Sequence, residues 1–174
     1  MDAALLTLHA LVGALFVGHG AQKLFGAFGG HGIAGTAGFM ASLGLRPGRL
    51  HALAAGAAEL VGGALLLLGL LLPLAAALIV ATMTTATLTA HRGKGPWVSD
   101  GGYEYPLVMI AVALALATGG GGEYALDSVL ELGLTGEGWG FGSVGVGIAG
   151  GITAALSGQL APARHRGGAQ AQGA

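Results

Sequence analysis

LAAGAAELVGGALLLLG, residues 53–69, is apolar from end to end except for one carboxylate, Glu59, near its middle. The apolar run continues on both sides, from Leu50 to Leu72, and about 20 such residues in helical form cross the hydrocarbon core of a bilayer. Backbone amides cannot be left unpaired there, so only helices and closed barrels span it. The alternation of barrel strands is absent from this chain, and the stretch is predicted to be a transmembrane helix. Its carboxylate must then turn away from lipid, because a charge facing acyl chains at mid-depth costs about 2.5–3.5 kcal/mol on insertion scales. Glu59 is expected to face the bundle interior, paired or otherwise neutralised.

The composition agrees. Of 174 residues only 9% are charged and 53% are hydrophobic, against roughly 25% charged in an ordinary soluble domain, so membrane residence is the expected class. No linker interrupts the apolar segments before about residue 160, and one domain is expected. The lack of cysteine excludes thiolate catalysis, disulfide exchange and Cys-ligated zinc or iron–sulfur clusters supplied by this chain. Any sulfur chemistry belongs to a substrate or a partner. Seven basic against eight acidic side chains give no reason to expect nucleic-acid binding.

Three more segments have the character of a span: Ala4 to Phe25, Leu74 to Ala90 and Tyr105 to Thr118. A fifth, Phe141 to Leu160, is rich in glycine, and charge decides it. With the N-terminus outside and five spans, Lys23, Arg46, Arg49, Arg92, Lys94, Arg164 and Arg166 all fall on the cytoplasmic side, as the positive-inside rule requires. Asp2, Glu123, Asp127, Glu131 and Glu137 fall outside. The first segment lacks the basic start of a cleaved signal and is read as a retained helix. Pro73 is expected in the outer turn between the second and third spans. Between the first and second, Ile33, Ala37, Met40 and Leu43 predict a short amphipathic helix ending near Gly44, lying at the interface or folded over the bundle as a lid.

The predicted fold is therefore all-α, a multi-pass transmembrane bundle. It has a four-helix core over residues 1–130, a short interfacial helix after the first span, an additional Gly-rich helix over 131–161 and a disordered cytoplasmic tail over 162–174. Thr82, Thr85 and Thr89 form a polar stripe, and Gly147 with Gly151 a GxxxG pair; both suit close helix contact.

Most of the remaining polar residues collect at one end. Lys23 lies near the end of the first span and His19 one turn deeper on the same face, about 6 Å away. Glu59 is about 14 Å into the second span, a depth at which it is expected to meet His19. His91 ends the third span, and Tyr103, Glu104 and Tyr105 open the fourth at the same end. Each has a plain alternative. Glu59 can merely join helices through a hydrogen bond, Lys23 can snorkel to the interface, Glu104 complements a helix N-terminus, and Tyr103, Tyr105 and Trp97 suit an aromatic belt. His9, His31, His51 and His165 have no constellation and are read as solvated or packed. Haem ligation by His19 and His91 is not singled out by any spacing.

GHGAQKLFGAFGGHGIAGTAGFMASLG (18–44), AELVGGALLLLG (58–69), AHRGKGPWVSDGGYEYPL (90–107) and GGEYALDSVL (121–130) together resemble the DoxX family of bacterial inner-membrane proteins. The resemblance implies a compact four-helix membrane core and a redox association. Relatives include a subunit of a thiosulfate:quinone oxidoreductase, and others are linked to a membrane complex with superoxide dismutase and a sulfurtransferase. Carried over by motif, it points to His19 and Lys23, to Glu59, and to His91, Tyr103 and Glu104, the same residues that charge placement gathers.

The expected function is a subunit of a membrane redox complex that binds a quinone or similar small molecule near the cytoplasmic face. Glu59 and His19 would handle protons, Lys23 would stabilise negative charge, and His91, Tyr103 and Glu104 would line the entrance. No motif for a covalently bound or nucleotide cofactor is visible, so electrons are expected from partner chains such as a sulfurtransferase or dehydrogenase. The alternatives are a non-enzymatic scaffold, alone or as a homo-oligomer, and a proton-coupled transporter of small solutes, for which no inverted repeat is seen.

Overall fold

The computed structural model describes residues 1–158; the reading of residues 162–174 as a disordered tail, and the placement of Arg164, His165 and Arg166, fall outside them. Seven α-helices follow in order: α1 Asp2–Phe25, α2 Gly32–Ser42, α3 Gly48–Leu68, α4 Leu72–Leu88, α5 Glu104–Gly119, α6 Leu126–Val129 and α7 Glu137–Ser157. No strand occurs among the described residues. Helices α1, α3 and α7 are long and apolar enough to cross a membrane, and α4 and α5 are shorter apolar helices. The fold is the expected helical membrane bundle.

Successive long helices alternate in direction, so the bundle has two chemically different ends. At one, where α1, α4 and α7 finish, lie Lys23, Arg46, Arg49, Arg92 and Lys94, with Asp100 and Glu104 among them. At the other lie Asp2, Glu123, Asp127, Glu131 and Glu137. We call these the basic and the acidic end.

The tightest pair is α1 with α3, and glycine makes it so. Gly13 and Gly20 on α1 and Gly56 and Gly63 on α3 each recur after seven residues, the spacing that keeps one seam facing a partner helix. A Cβ on Gly20 would lie 2.5 Å from the Leu60 nitrogen and 2.8 Å from the Gly56 oxygen, and one on Gly63 2.6 Å from the Val17 nitrogen. The two backbones touch, which fixes the register of α1 on α3. The expected glycine pair on α7 works in the same way against α4. A Cβ on Gly147 would lie 2.8 Å from the Ala77 oxygen and one on Gly151 2.6 Å from the Ala81 oxygen. The Thr85 hydroxyl donates to Ala81 O at 2.8 Å and reaches Gly151 O at 3.2 Å.

Large side chains close-pack the part of the bundle toward the acidic end: Phe16 of α1, Leu66 of α3, Leu72, Ile79 and Val80 of α4, and Leu116 of α5. A second cluster, Met40, Leu45 and Ala52, seats α2 on the start of α3. Toward the basic end the interior is hollow.

Some boundaries differ from expectation for local reasons. Helix α3 ends at Leu68 rather than Leu72, because Gly69 adopts the left-handed cap (φ 62°, ψ 35°) that glycine takes without a Cβ penalty. Pro73 lies inside the first turn of α4 rather than in the connecting turn, where its missing N–H has no intrahelical partner to lose. Leu71, between them, has φ 46°, a left-handed conformation costing a non-glycine residue about 1–2 kcal/mol.

Asp127 holds this turn together. Its Oδ1 accepts the Leu71 N–H at 2.7 Å, its Oδ2 accepts the Leu72 N–H at 2.9 Å, and its own N–H donates to Gly69 O at 2.9 Å. It is therefore not an exposed acid: 4% of it is accessible, and it caps α4 from a distant part of the chain. Asp127→Ala is expected to cost about 2–3 kcal/mol, since it removes two charge-assisted hydrogen bonds to backbone donors, one buried and one part-buried. Thermal unfolding in detergent measures it; a loss below about 0.5 kcal/mol, typical of a neutral surface change, would refute the role.

Candidate functional site

The hollow toward the basic end is a cavity of ≈ 650 Å³ walled by α1 to α5, the α4–α5 loop and α7. Its volume is in the range of small-molecule sites, and such sites pair apolar walls with a few convergent polar groups. Most of the lining is apolar or small, including Phe16, Phe39, Met40, Leu43 and the α3 alanines Ala54, Ala55 and Ala58. Into it project Lys23, Glu59, His19, His51, His91, Lys94 and Tyr105.

Glu59 sits midway along α3 and is 5% accessible. The Lys23 ammonium lies 2.5 Å from its Oε2. That contact is an ion pair without the angles of a regular hydrogen bond, and among the described residues Oε2 has no hydrogen-bond partner. Lys23 thus turns inward, where the sequence also allowed it to snorkel outward. Its side chain is still 26% accessible.

The register of α1 on α3 explains the pairing. With Gly20 pressed against Gly56 and Leu60, Lys23 shares Gly20's face one turn on, whereas His19 is rotated about 100° away. His19 therefore does not bond Glu59 as expected. It lines the same cavity, with its ring edge-on to Phe16, centroids 6.4 Å apart.

His91 lies three residues beyond the end of α4. Its Nδ1 is 2.7 Å from Gly101 O, which makes Nδ1 the protonated nitrogen that donates. This bond ties the two ends of the α4–α5 loop, which is closed further by Tyr103 N–H to Gly95 O (3.2 Å) and Glu104 N–H to Pro96 O (2.8 Å). His91, Lys94 and Gly101 face the cavity. Tyr103 and Glu104 do not line it; the next two residues, Tyr105 and Pro106, do. So the structure gathers His19, Lys23, Glu59 and His91 and leaves Tyr103 and Glu104 outside the wall.

Sequence reasoning missed Tyr105, His51 and Lys94. For His51 a sign was available, since His51, Ala55 and Glu59 recur every four residues on one face of α3. Tyr105 had none that separates it from an interfacial aromatic. His9, read as solvated or packed, is packed: it is buried, and its Nδ1 is 3.0 Å from Leu66 O. Among the described residues no three His, Asp or Glu side chains gather as metal ligands.

The chemistry available is specific. A carboxylate and an ammonium in contact, at the wall of an apolar cavity, can accept or supply a proton and can orient a carbonyl or hydroxyl group far more strongly than the same groups in water. In comparisons with known proteins, neither the curated proteins nor the solved structures gave a match. The sequence model of the DoxX family matches residues 4–92, a segment that includes His19, Lys23, Glu59 and His91 and stops short of Tyr103, Glu104, α5 and α7. With that match over more than half of its length, the chain belongs to the DoxX family, and its apolar bundle is that of a membrane protein.

Proposed function

We propose that this protein is a subunit of a membrane redox complex whose cavity binds a quinone or a similar small redox molecule. What carries the reading is the buried Glu59–Lys23 pair at the wall of a ≈ 650 Å³ apolar cavity. Reduction of a quinone consumes two electrons and two protons, and each proton ends on a carbonyl oxygen. Glu59 would take up one proton from solvent at the basic end and pass it to one oxygen, and His19, which lines the same cavity, would pass the other. Lys23 would stabilise the negative charge that builds on the ring, and Tyr105 and His91 would contribute hydrogen bonds at the loop side. Tyr103 and Glu104 would act outside the cavity, at its mouth. Electrons would come from a partner chain such as a dehydrogenase or sulfurtransferase. The basic end would face the cytoplasm of a bacterium, with the N-terminus outside the inner membrane.

Titration of the purified protein with a short-tailed benzoquinone, followed by fluorescence quenching or calorimetry, tests this. Glu59→Gln is expected to weaken binding at least tenfold. Equal and negligible affinity of both proteins would remove the proposal. The alternative is a scaffold in which the same ion pair only joins α1 to α3. It is favoured by the charge of Glu59 being balanced by Lys23 within the chain, and it predicts unchanged binding and a lower stability for Glu59→Gln.

A further inference from the structure

We infer that the cavity is loaded sideways, from the acyl-chain layer, through a window between α3 and α7, and that its ligand is an amphiphile whose apolar tail stays in that window. This rests on the proposed ligand class but adds a route and a tail to it. Helices α3 and α7 both pack on α4 and make at most marginal contact with each other. The cavity extends into this gap, where its wall consists of Ala54 and Ala58 of α3, Ala81 and Thr82 of α4, and Gly150 and Ala154 of α7. Ala54 and Gly150 are themselves solvent-accessible, as an opening of the cavity at this gap requires.

The level of the window says what it opens on. Gly150 lies seven residues before the last residue of α7 and Ala54 six after the first of α3, about 10 Å below the helix ends at 1.5 Å per residue. That depth is inside a hydrocarbon core about 30 Å thick. The surface on the same faces is apolar: Leu50 and Val61, on the face of α3 that carries Ala54, and Val146, on the face of α7 that carries Gly150, are all exposed. At the far side of the same cavity is Glu59, nine-tenths buried, with Oε2 lacking any regular hydrogen bond. A head group that hydrogen-bonds this carboxylate recovers there what its own desolvation costs, while its tail remains among acyl chains.

Small residues are needed here for the opening, not for helix contact. Gly147 and Gly151 touch α4 backbone, whereas a Cβ on Gly150 would meet only the Ala81 Cβ at 3.7 Å, an ordinary contact. Gly150 is thus a position where bulk can be added without prising α7 from α4.

The chain has no cysteine, so single cysteines at Ala54 and Gly150 can carry nitroxide labels in liposomes. High oxygen and low nickel-chelate accessibility, equal to that of a label at the exposed Leu53 on the same level of α3, is expected at both. Low accessibility to both reagents, or high accessibility to the nickel chelate, would overturn the window. Then Gly150→Leu and Ala54→Leu should each weaken binding of a decyl-tailed benzoquinone at least tenfold more than they weaken binding of the tail-less ring. Equal losses for the two probes, or none, would overturn the role given to the tail. If the unaltered protein binds neither probe, the quinone reading fails, and the label accessibilities still decide the window.

Discussion

Lys23→Met is expected to destabilise the bundle by about 3 kcal/mol, the lower end of the cost of breaking a buried ion pair, and to do so more than Glu59→Gln. The two partners are not equivalent. Glu59 is fixed midway along α3 and 5% accessible, so removing the ammonium leaves it without its ion-pair partner in an apolar surround. Lys23 is 26% accessible on a long flexible stem, and once the carboxylate is gone it can swing toward the basic end and recover water. Glu59→Gln should therefore cost only about 1 kcal/mol, the scale of one polar contact between helices. The double variant Lys23→Met/Glu59→Met should recover most of the loss, because the two changes share one interaction. Unfolding in mixed micelles with rising dodecyl sulfate, followed by circular dichroism, measures all three. The reverse order of the single variants, or simple additivity in the double, would show that the ion pair is not what holds these residues.

Gly63→Leu should be at least as damaging, about 3 kcal/mol or more. Adding bulk to a packed core commonly costs about 1–3 kcal/mol, because neighbouring side chains rotate or shift to make room. Here the atoms in the way are the Val17 nitrogen and the Gly13 oxygen, 2.6 and 2.9 Å from the new Cβ, and backbone has no rotamers. The helices must separate, and with them Lys23 and Glu59. Gly18→Ala is the control: it lies on the facing helix, α1, with nothing within 4 Å of its Cβ, and should be neutral or gain up to about 1 kcal/mol in helix propensity. Equal losses at Gly63 and Gly18 in the same unfolding assay would mean that α1 and α3 do not meet as described.

These two predictions use features that differ in how far they could be read beforehand. The helices themselves were legible because apolar length is a property of each segment alone, and hydrocarbon admits almost no other backbone structure. The inward turn of Glu59 followed from the same reasoning. The GxxxG pair of α7 was legible as a packing motif, while the seven-residue glycine spacing shared by α1 and α3 was present in the sequence and passed unread. Asp127 was read by sign and position as one more acid at the outer end, since nothing near residue 127 reveals that residues 71 and 72 need a cap. Tyr103 and Glu104 were grouped with the site because they open α5 at the right end. Rotation of that helix puts Tyr105 and Pro106 on the wall instead.

By itself the sequence determined that this chain forms a bundle of apolar helices, where they begin and end to within a few residues, and that its central carboxylate cannot face lipid. Those are consequences of solvent, which acts on every residue separately. Which cation meets that carboxylate, and what the cavity is walled by, were decided only in the tertiary structure. They depend on the register and rotation of one helix against another, and that is set by where glycines let two backbones touch. A shift of one residue in that contact, about 100° of rotation, would have exchanged Lys23 for another neighbour.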